Sequence, residues 1–464
     1  MPDLTIHAQP PLEFIQPALN PLVLRATQQV LPLWMRSQTA ITEIQAANVE
    51  TLVDLYRQFQ DGKTRFLIAF RHPSVDDPLC MTHLVWKLVP QVAKQQGISL
   101  KQPTHAHFIY DRGIPLWAGD WVGWLYSRLG GTSLHRGKAD WTGLRSARHL
   151  FAHSNLPMAA APEGAVNGHN ELISSLEPGM AQLGFWCVED LLKAGRSEQV
   201  VIVPVGIQYS YLEAPWQGIE QLLSQLEADS GIDSVKIESH EPSLYARLVR
   251  LSEHLLTLME TFYNRFYHQK LPTIIEDKTL LQTSETQIND LLSLRLKALL
   301  NAALQVAEEF FDLPAKGNLI DRCRRLEQAG WNYIYREDFK DIKGLERGLG
   351  DRIAEEANLR MWHMRLVETF VAVNGHYILE KPTAERFAET TLLLWDLVTR
   401  IKGSNPFHRP RLGKQRVQMT VGPTLSVSEL YPTYHASRHG ARTAVAQLTQ
   451  DLQQALESLI LKEG

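Results

Sequence analysis

Long apolar runs are missing from this chain. No uninterrupted stretch of its 464 residues approaches the roughly 20 needed to cross a bilayer. The opening MPDLTIHAQPP has neither the basic nor the apolar segment of a secretory leader, so a soluble or membrane-peripheral protein is expected. Cysteine is scarce. Cys80, Cys187 and Cys323 stand far apart with no CxxC pair, which argues against a disulfide framework or a thiolate metal site and fits a reducing cytoplasm. An excess of either charge is also missing: a formal net charge of -4 gives no global attraction to nucleic acid or anionic lipid, so any such contact needs a local patch. The sequence shows no repeats or low-complexity tract, and its 44% hydrophobic and 21% charged residues are ordinary globular usage, so a folded body is expected throughout.

What is present falls into three stretches. Residues 1–60 open with Pro10, Pro11, Pro17 and Pro21 and continue as NPLVLRATQQVLPLWMR, a mostly helical apolar pattern interrupted by Pro32. This lead is expected to pack on the main core, with a membrane surface as the other reading. Residues 61–215 alternate short apolar runs with amphipathic segments: RFLIAF at 65–70, HAHFIY at 105–110, LPMAAA at 156–161 and VVIVPVGI at 200–207. Such runs predict buried strands in an α/β layer. Residues 216–411 read as helical, with a stripe through Leu244, Leu248, Leu251, Leu255, Leu258, Phe262 and Phe266, and further helical patterns at 284–312, 351–373 and 383–402. After the basic segment HRPRLGKQR, strand and turn features return in VQMTVGPTLSVSEL, followed by a last helix over about 436–462.

The densest cluster of reactive residue types is RHPSVDDP, in which His72 precedes Asp77 by five residues and Pro78 comes next. An aspartate before proline predicts a helix start, and the turn leading into it brings the imidazole back beside a carboxylate. A neutral imidazole steadied by a carboxylate can take the proton of a hydroxyl as it attacks an acyl carbon, and the carboxylate then stabilises the imidazolium. Alone the spacing is weak, since with 17 histidines about one HxxxxD arises by chance. Asp76 is the alternative orienting carboxylate, and the spacing favours Asp77.

The order of the downstream blocks carries more weight: GGTSLHR at 130–136, APEGAVN at 161–167, EPGMAQLGFW at 177–186 and VIVPVGI at 201–207. In that order the sequence resembles the glycerol-3-phosphate and lysophosphatidic acid acyltransferase family, over about 60–215 and again at TVGPTLSV, 420–427. The resemblance implies a general base at His72 and its partner at Asp77, Arg136 near the acceptor's head group, and Glu163 with Gly164 at the floor of the acceptor site. It also implies transfer of a fatty acyl group from an acyl thioester, on acyl carrier protein or coenzyme A, to a glycerol-type or lysolipid hydroxyl. No serine nucleophile and no cofactor are implied, the thioester being a substrate.

The departures bear on the acceptor. Arg71 stands where the family commonly has Asn, Ala165 and Val166 where it has Thr-Arg, and Ser133 where it has Phe. One phosphate-binding guanidinium is therefore missing, with Arg71, Lys138, Arg145 or Arg148 as candidates to replace it. Trp117, Trp121 and Trp124 fall at i, i+4 and i+7 on one helical face, for which core packing is the default and an acyl groove or a lipid interface the functional reading. His149 and His153 have the spacing of a metal pair, but no HExxH accompanies them.

The expected architecture is an α/β, mixed-sheet acyltransferase domain formed by 61–215 and 412–464, with 1–60 as a helical lead and 216–411 as a helical insertion. The expected setting is cytoplasmic and peripheral to a membrane, without nucleic acid. Arg409, Arg411, Lys414 and Arg416 offer a docking run for an acidic carrier protein. Two rivals stand beside this reading: a thioester or ester hydrolase using the same histidine on water, and a helical interaction or scaffold protein carrying a degenerate acyltransferase domain.

Overall fold

The structure is a computed structural model, which describes residues 6–135, 140–232, 241–272, 285–370, 373, 375–406 and 409–461. It divides into two compact units. One comprises Glu13–Leu212 with Lys414–Gly464, the other Met1–Leu12 with Glu213–Gly413.

The first unit is built on one mixed α/β sheet of eight strands: β1 (Ile41–Ala47), β2 (Thr64–Phe70), β3 (His107–Asp111), β4 (Thr132–Leu134), β5 (Met158–Ala160), β6 (Gln199–Tyr211), β7 (Gln415–Val421) and β8 (Leu425–Ser426). Their order is β1-β7-β6-β2-β5-β3-β4, with β8 against β6. β6, β2, β5, β3 and β4 run parallel, whereas β7 is antiparallel to β6 and parallel to β1. Pairing with both β1 and β6 places the chain beyond residue 414 inside this sheet.

The unbroken apolar run of β2 follows from burial on both faces, all seven residues being buried. Phe66, Ile68 and Phe70 enter a core closed by the helix Val49–Gln60 and the helix Asp77–His83. Leu67 and Ala69, with the opposite parity, enter a second core closed by the helices Trp141–His153, Gly179–Lys193 and Arg438–Ser458.

The lead differs from expectation. Within it, ITEIQAA is a sheet strand, half exposed at the edge, where weak alternation of apolar and polar residues hides it from periodicity. The helix Pro21–Gln38 runs through Pro32; it buries Leu24 and Met35 but leaves Leu22, Val30, Leu33 and Trp34 exposed. The single tryptophan face is corrected too. Gly119, at φ 95°, separates a short helix Ile114–Ala118 from the helix Asp120–Arg128, whose Trp121 and Trp124 are exposed rather than packed in the core.

The second unit is helical, with long helices at Trp216–Asp229, Glu241–Tyr267, Glu285–Phe311, Leu319–Ile334, Leu345–Phe370 and Ala384–Ile401. The start of the chain is tied to it: Ala8 N donates to Asp351 Oδ1 at 2.9 Å, and Gln9 exchanges backbone bonds with Ile334 and Arg336. Buried two-point Arg–Glu pairs link its helices, Arg247 to Glu227, Arg295 to Glu260 and Arg322 to Glu308. Among the described residues, no helix is long and apolar enough to cross a membrane.

Candidate active site

Parallel strands deliver their C-terminal edges to one side of a sheet, and the loops there are the usual place for a ligand. His72 lies two residues past the end of β2, and Glu163 lies three past the end of its neighbour β5. Between β2 and the helix Asp77–His83 the chain makes a tight turn. Ser74 N donates to Asp77 Oδ2 at 2.8 Å, and Asp76 is the N-cap residue, one position earlier than the sequence suggests. Pro78 takes the first turn of the helix, where a missing N–H costs nothing.

This turn folds the ring back. His72 Nδ1 donates to Asp77 Oδ2 at 2.9 Å, which leaves Nε2 as the basic lone pair of the neutral ring. The His72 side chain is 20% exposed and that of Asp77 fully buried. Asp77 Oδ1 accepts from the Tyr209 hydroxyl at 2.6 Å. Tyr209 reaches it because β6 is long: Phe70, the last residue of β2, pairs with Val205, so Tyr209 projects four positions further. Burial, and then the neighbouring Asp77, push the Tyr209 phenol well above its usual range, so it stays protonated and a donor.

Glu163 is stitched to the same loop. Its Oε1 accepts from His72 N at 2.8 Å, and its Oε2 accepts from Asn167 Nδ2 at 2.7 Å and Ser174 N at 3.0 Å. Asn167 N in turn donates to the His72 carbonyl at 3.2 Å. A buried carboxylate occupied on both oxygens holds the backbone of His72 in place. Gly164, at φ 71°, makes the turn that a side chain would strain, directly beside that carboxylate. The structure therefore brings His72, Asp77, Glu163 and Gly164 together.

No family model, no curated protein and no solved structure matches the chain.

Arg71 is corrected. Its side chain is fully buried, with Nη1 donating to the Asn170 carbonyl and Nη2 to His169 O at 3.2 Å and Leu172 O at 2.5 Å, while Nε lies 3.8 Å from Glu163. A guanidinium spent on three carbonyls cannot meet an acceptor phosphate; it fastens the 169–172 loop instead. Arg136 and Lys138 lie outside the described residues. Ser133 is buried in β4 and accepts from Arg112 Nε at 3.4 Å. Arg112 also pairs with Asp140, which accepts from His135 N at 3.0 Å. Arg148 is tied to Asp190, and Arg145 stands one helical turn before it on the helix Trp141–His153, away from the His72 loop. No group of three or more metal-ligating side chains is found among the described residues.

Tyr209, Asn167 and Asn170 went unread in the sequence. Asn170 Oδ1 accepts from Tyr209 N at 2.7 Å, so one loop fastens Arg71, Glu163 and the strand carrying Tyr209. The only signal for them was proximity to the PEG block and to the VP strand.

Proposed function

We propose that this chain is an O-acyltransferase of the glycerolipid type, with His72 as general base. One observation carries the reading. A partly exposed imidazole is hydrogen-bonded through Nδ1 to a fully buried carboxylate, at the C-terminal edge of a parallel sheet and stitched to the turn of the PEG block. The order of the sequence blocks supports the same reaction class.

In this reading the acceptor hydroxyl sits on His72 Nε2. As its oxygen attacks the thioester carbonyl carbon, Nε2 takes the proton, and the C–S bond then breaks as the imidazolium returns that proton to the leaving thiolate. The products are an ester and a free thiol. Asp77 offsets the transient imidazolium charge, and Tyr209 and Ser74 N keep Asp77 aimed. The donor is an acyl thioester of acyl carrier protein or coenzyme A, the acceptor a glycerol-type or lysolipid hydroxyl, and no cofactor takes part.

A lipid acceptor is met at a surface. The helix Pro21–Gln38 exposes Leu22, Val30, Leu33 and Trp34, carries Arg25 and Arg36, and has no acidic residue, which suits peripheral contact with an anionic bilayer on the cytoplasmic side. The basic run offers less to a carrier protein than its sequence suggests, because Arg409 is paired with Asp396 and Arg416 with Glu43.

The test is to incubate the purified protein with labelled acyl thioesters and a panel of glycerol, glycerol phosphate and lysolipid acceptors. Label in a new ester supports the proposal. Free fatty acid as the sole product, at the same rate with and without acceptor, replaces it with the hydrolase reading.

A further inference from the structure

A basic recess lies at the other end of the sheet from His72. The helix Trp141–His153 ends just before β5 begins, and the helix Gly179–Lys193 ends just before β6, so their C-terminal turns meet at the N-terminal edge of strands whose C-terminal edges carry His72 and Glu163. Between the two helices, along the stretch that ends in these turns, is a depression of about 390 Å³ lined by Arg145, Arg148, His149, His153, Asp190 and Lys193, with Ala194.

The lining is cationic in excess, with Arg145, Arg148 and Lys193 against Asp190 and the adjoining Glu189. Both carboxylates face Arg148. Asp190 Oδ2 accepts from Arg148 Nε and Oδ1 from Arg148 Nη2, both at 2.7 Å, and Glu189 lies 3.3 Å from the same guanidinium. Arg148 also sits over the Trp186 ring, 5.4 Å from its centroid, so it forms a fixed wall. Among the described residues Arg145 and Lys193 form no direct ion pair; the Asp190 carboxyl, held below its usual range chiefly by the Arg148 hydrogen bonds, also feels the Lys193 charge from a distance.

A basic residue at a helix end often does no more than satisfy the last carbonyls. Here other residues already do so: Arg65 donates to Phe151 O and Ser154 O at 2.7 Å each, and Arg196 to Ala152 O at 2.8 Å. That leaves the Arg145 fork, the Lys193 ammonium and the two imidazoles, whose centroids are 5.1 Å apart, with no hydrogen-bond partner among the described residues.

We propose that this depression binds the dianionic phosphate of a soluble phosphate ester, at a site separate from His72. A planar fork, a point charge and ring N–H donors converging on one hollow match tetrahedral oxygens, which take several donors at once. The proposal does not depend on the acyl-transfer reading.

The test is calorimetric titration of the full chain with sulfate, a tetrahedral dianion across neutral pH, followed by displacement. Two variants accompany the wild type: Arg145→Gln with Lys193→Gln, both at exposed positions, and His72→Ala. The expected result is saturable single-site binding, weakened about tenfold or more in the double variant, unchanged in His72→Ala, and displaced by glycerol phosphate. Displacement only by phosphatidate vesicles assigns the same chemistry to a lipid headgroup and overturns the soluble ester. The site itself is overturned by absent or non-saturable binding, by a double variant that binds like wild type, by loss of binding in His72→Ala, or by bound sulfate that no phosphate displaces.

Discussion

Tyr209 Oη donates a 2.6 Å hydrogen bond to Asp77 Oδ1 from a position 132 residues further along the chain. Asp77 therefore accepts from three groups, the His72 ring, Ser74 N and this phenol, while lying out of contact with water. Removing the phenol leaves a buried charge with one donor fewer, at a cost of about 1.5–3 kcal/mol in stability. Asp77 aimed by two donors instead of three holds the His72 ring less firmly. Tyr209→Phe should thus lower kcat about tenfold and leave KM nearly unchanged. A variant that loses stability while kcat stays at the wild-type value would show Tyr209 to be packing alone.

Glu163 supports the backbone of His72 from the other side. Glu163→Gln replaces an acceptor of three N–H groups by an amide that presents its own N–H groups to some of them, beside the buried Arg71 charge. The expected cost is about 3 kcal/mol of stability, with kcat falling and the KM for acceptor changing less than kcat. An intact melting temperature combined with a large rise in acceptor KM would instead assign Glu163 to the substrate.

His105 gives the α/β unit a dependence on pH. Its Nδ1 accepts from Trp86 Nε1 at 2.9 Å while Nε2 donates to Leu129 O at 2.8 Å, an arrangement open only to the neutral ring. Burial pushes this imidazole down to about 4. The folded value is below the unfolded one, so the unfolded chain binds the extra proton, and stability present above about pH 6.5 is lost as pH falls toward 4. The slope from this group is at most about 1.4 kcal/mol per pH unit. Urea unfolding at several pH values, with His105→Gln as comparison, measures it; equal slopes for both proteins would remove His105 as the cause.

In the helical unit Arg295 and Glu260 form a two-point pair, with side chains 3% and 1% exposed. Arg295→Ala strands a buried carboxylate and should cost about 3–5 kcal/mol, whereas Arg295→Met with Glu260→Leu should be near neutral or stabilising. Chemical denaturation of the two variants separates these outcomes. A single variant as stable as wild type would mean that the carboxylate finds water.

The legible parts of the chain were those governed by short-range patterns. β2 and β6 showed as apolar runs because both their faces are covered, and His72 with Asp77 showed because one local turn joins them. The stripe on the helix Glu241–Tyr267 was only partly right: Leu248, Leu251 and Leu255 are buried with Met259 and Tyr263, while Leu258 and Phe266 face outward as a 3.6-residue period drifts from the marked positions. β1 was missed because an edge strand keeps polar residues on its open side. Arg71 was misread because a charge beside a candidate base suggests a ligand, and nothing local reveals the three carbonyls that surround it. The partners of Asp77 and Glu163 were invisible for the same reason, since long-range pairing leaves no period in the sequence.

The central claim is that the His72 ring takes the acceptor's proton directly, with no acyl group passing to the protein. Single-turnover reaction with a labelled acyl thioester, quenched and separated into protein, acceptor ester and free acid, addresses it. The predicted result is label passing to the acceptor with none on the protein, and a fall of about a thousandfold or more in His72→Ala. Label trapped on the protein, or a His72→Ala enzyme that transfers at the wild-type rate, would contradict it.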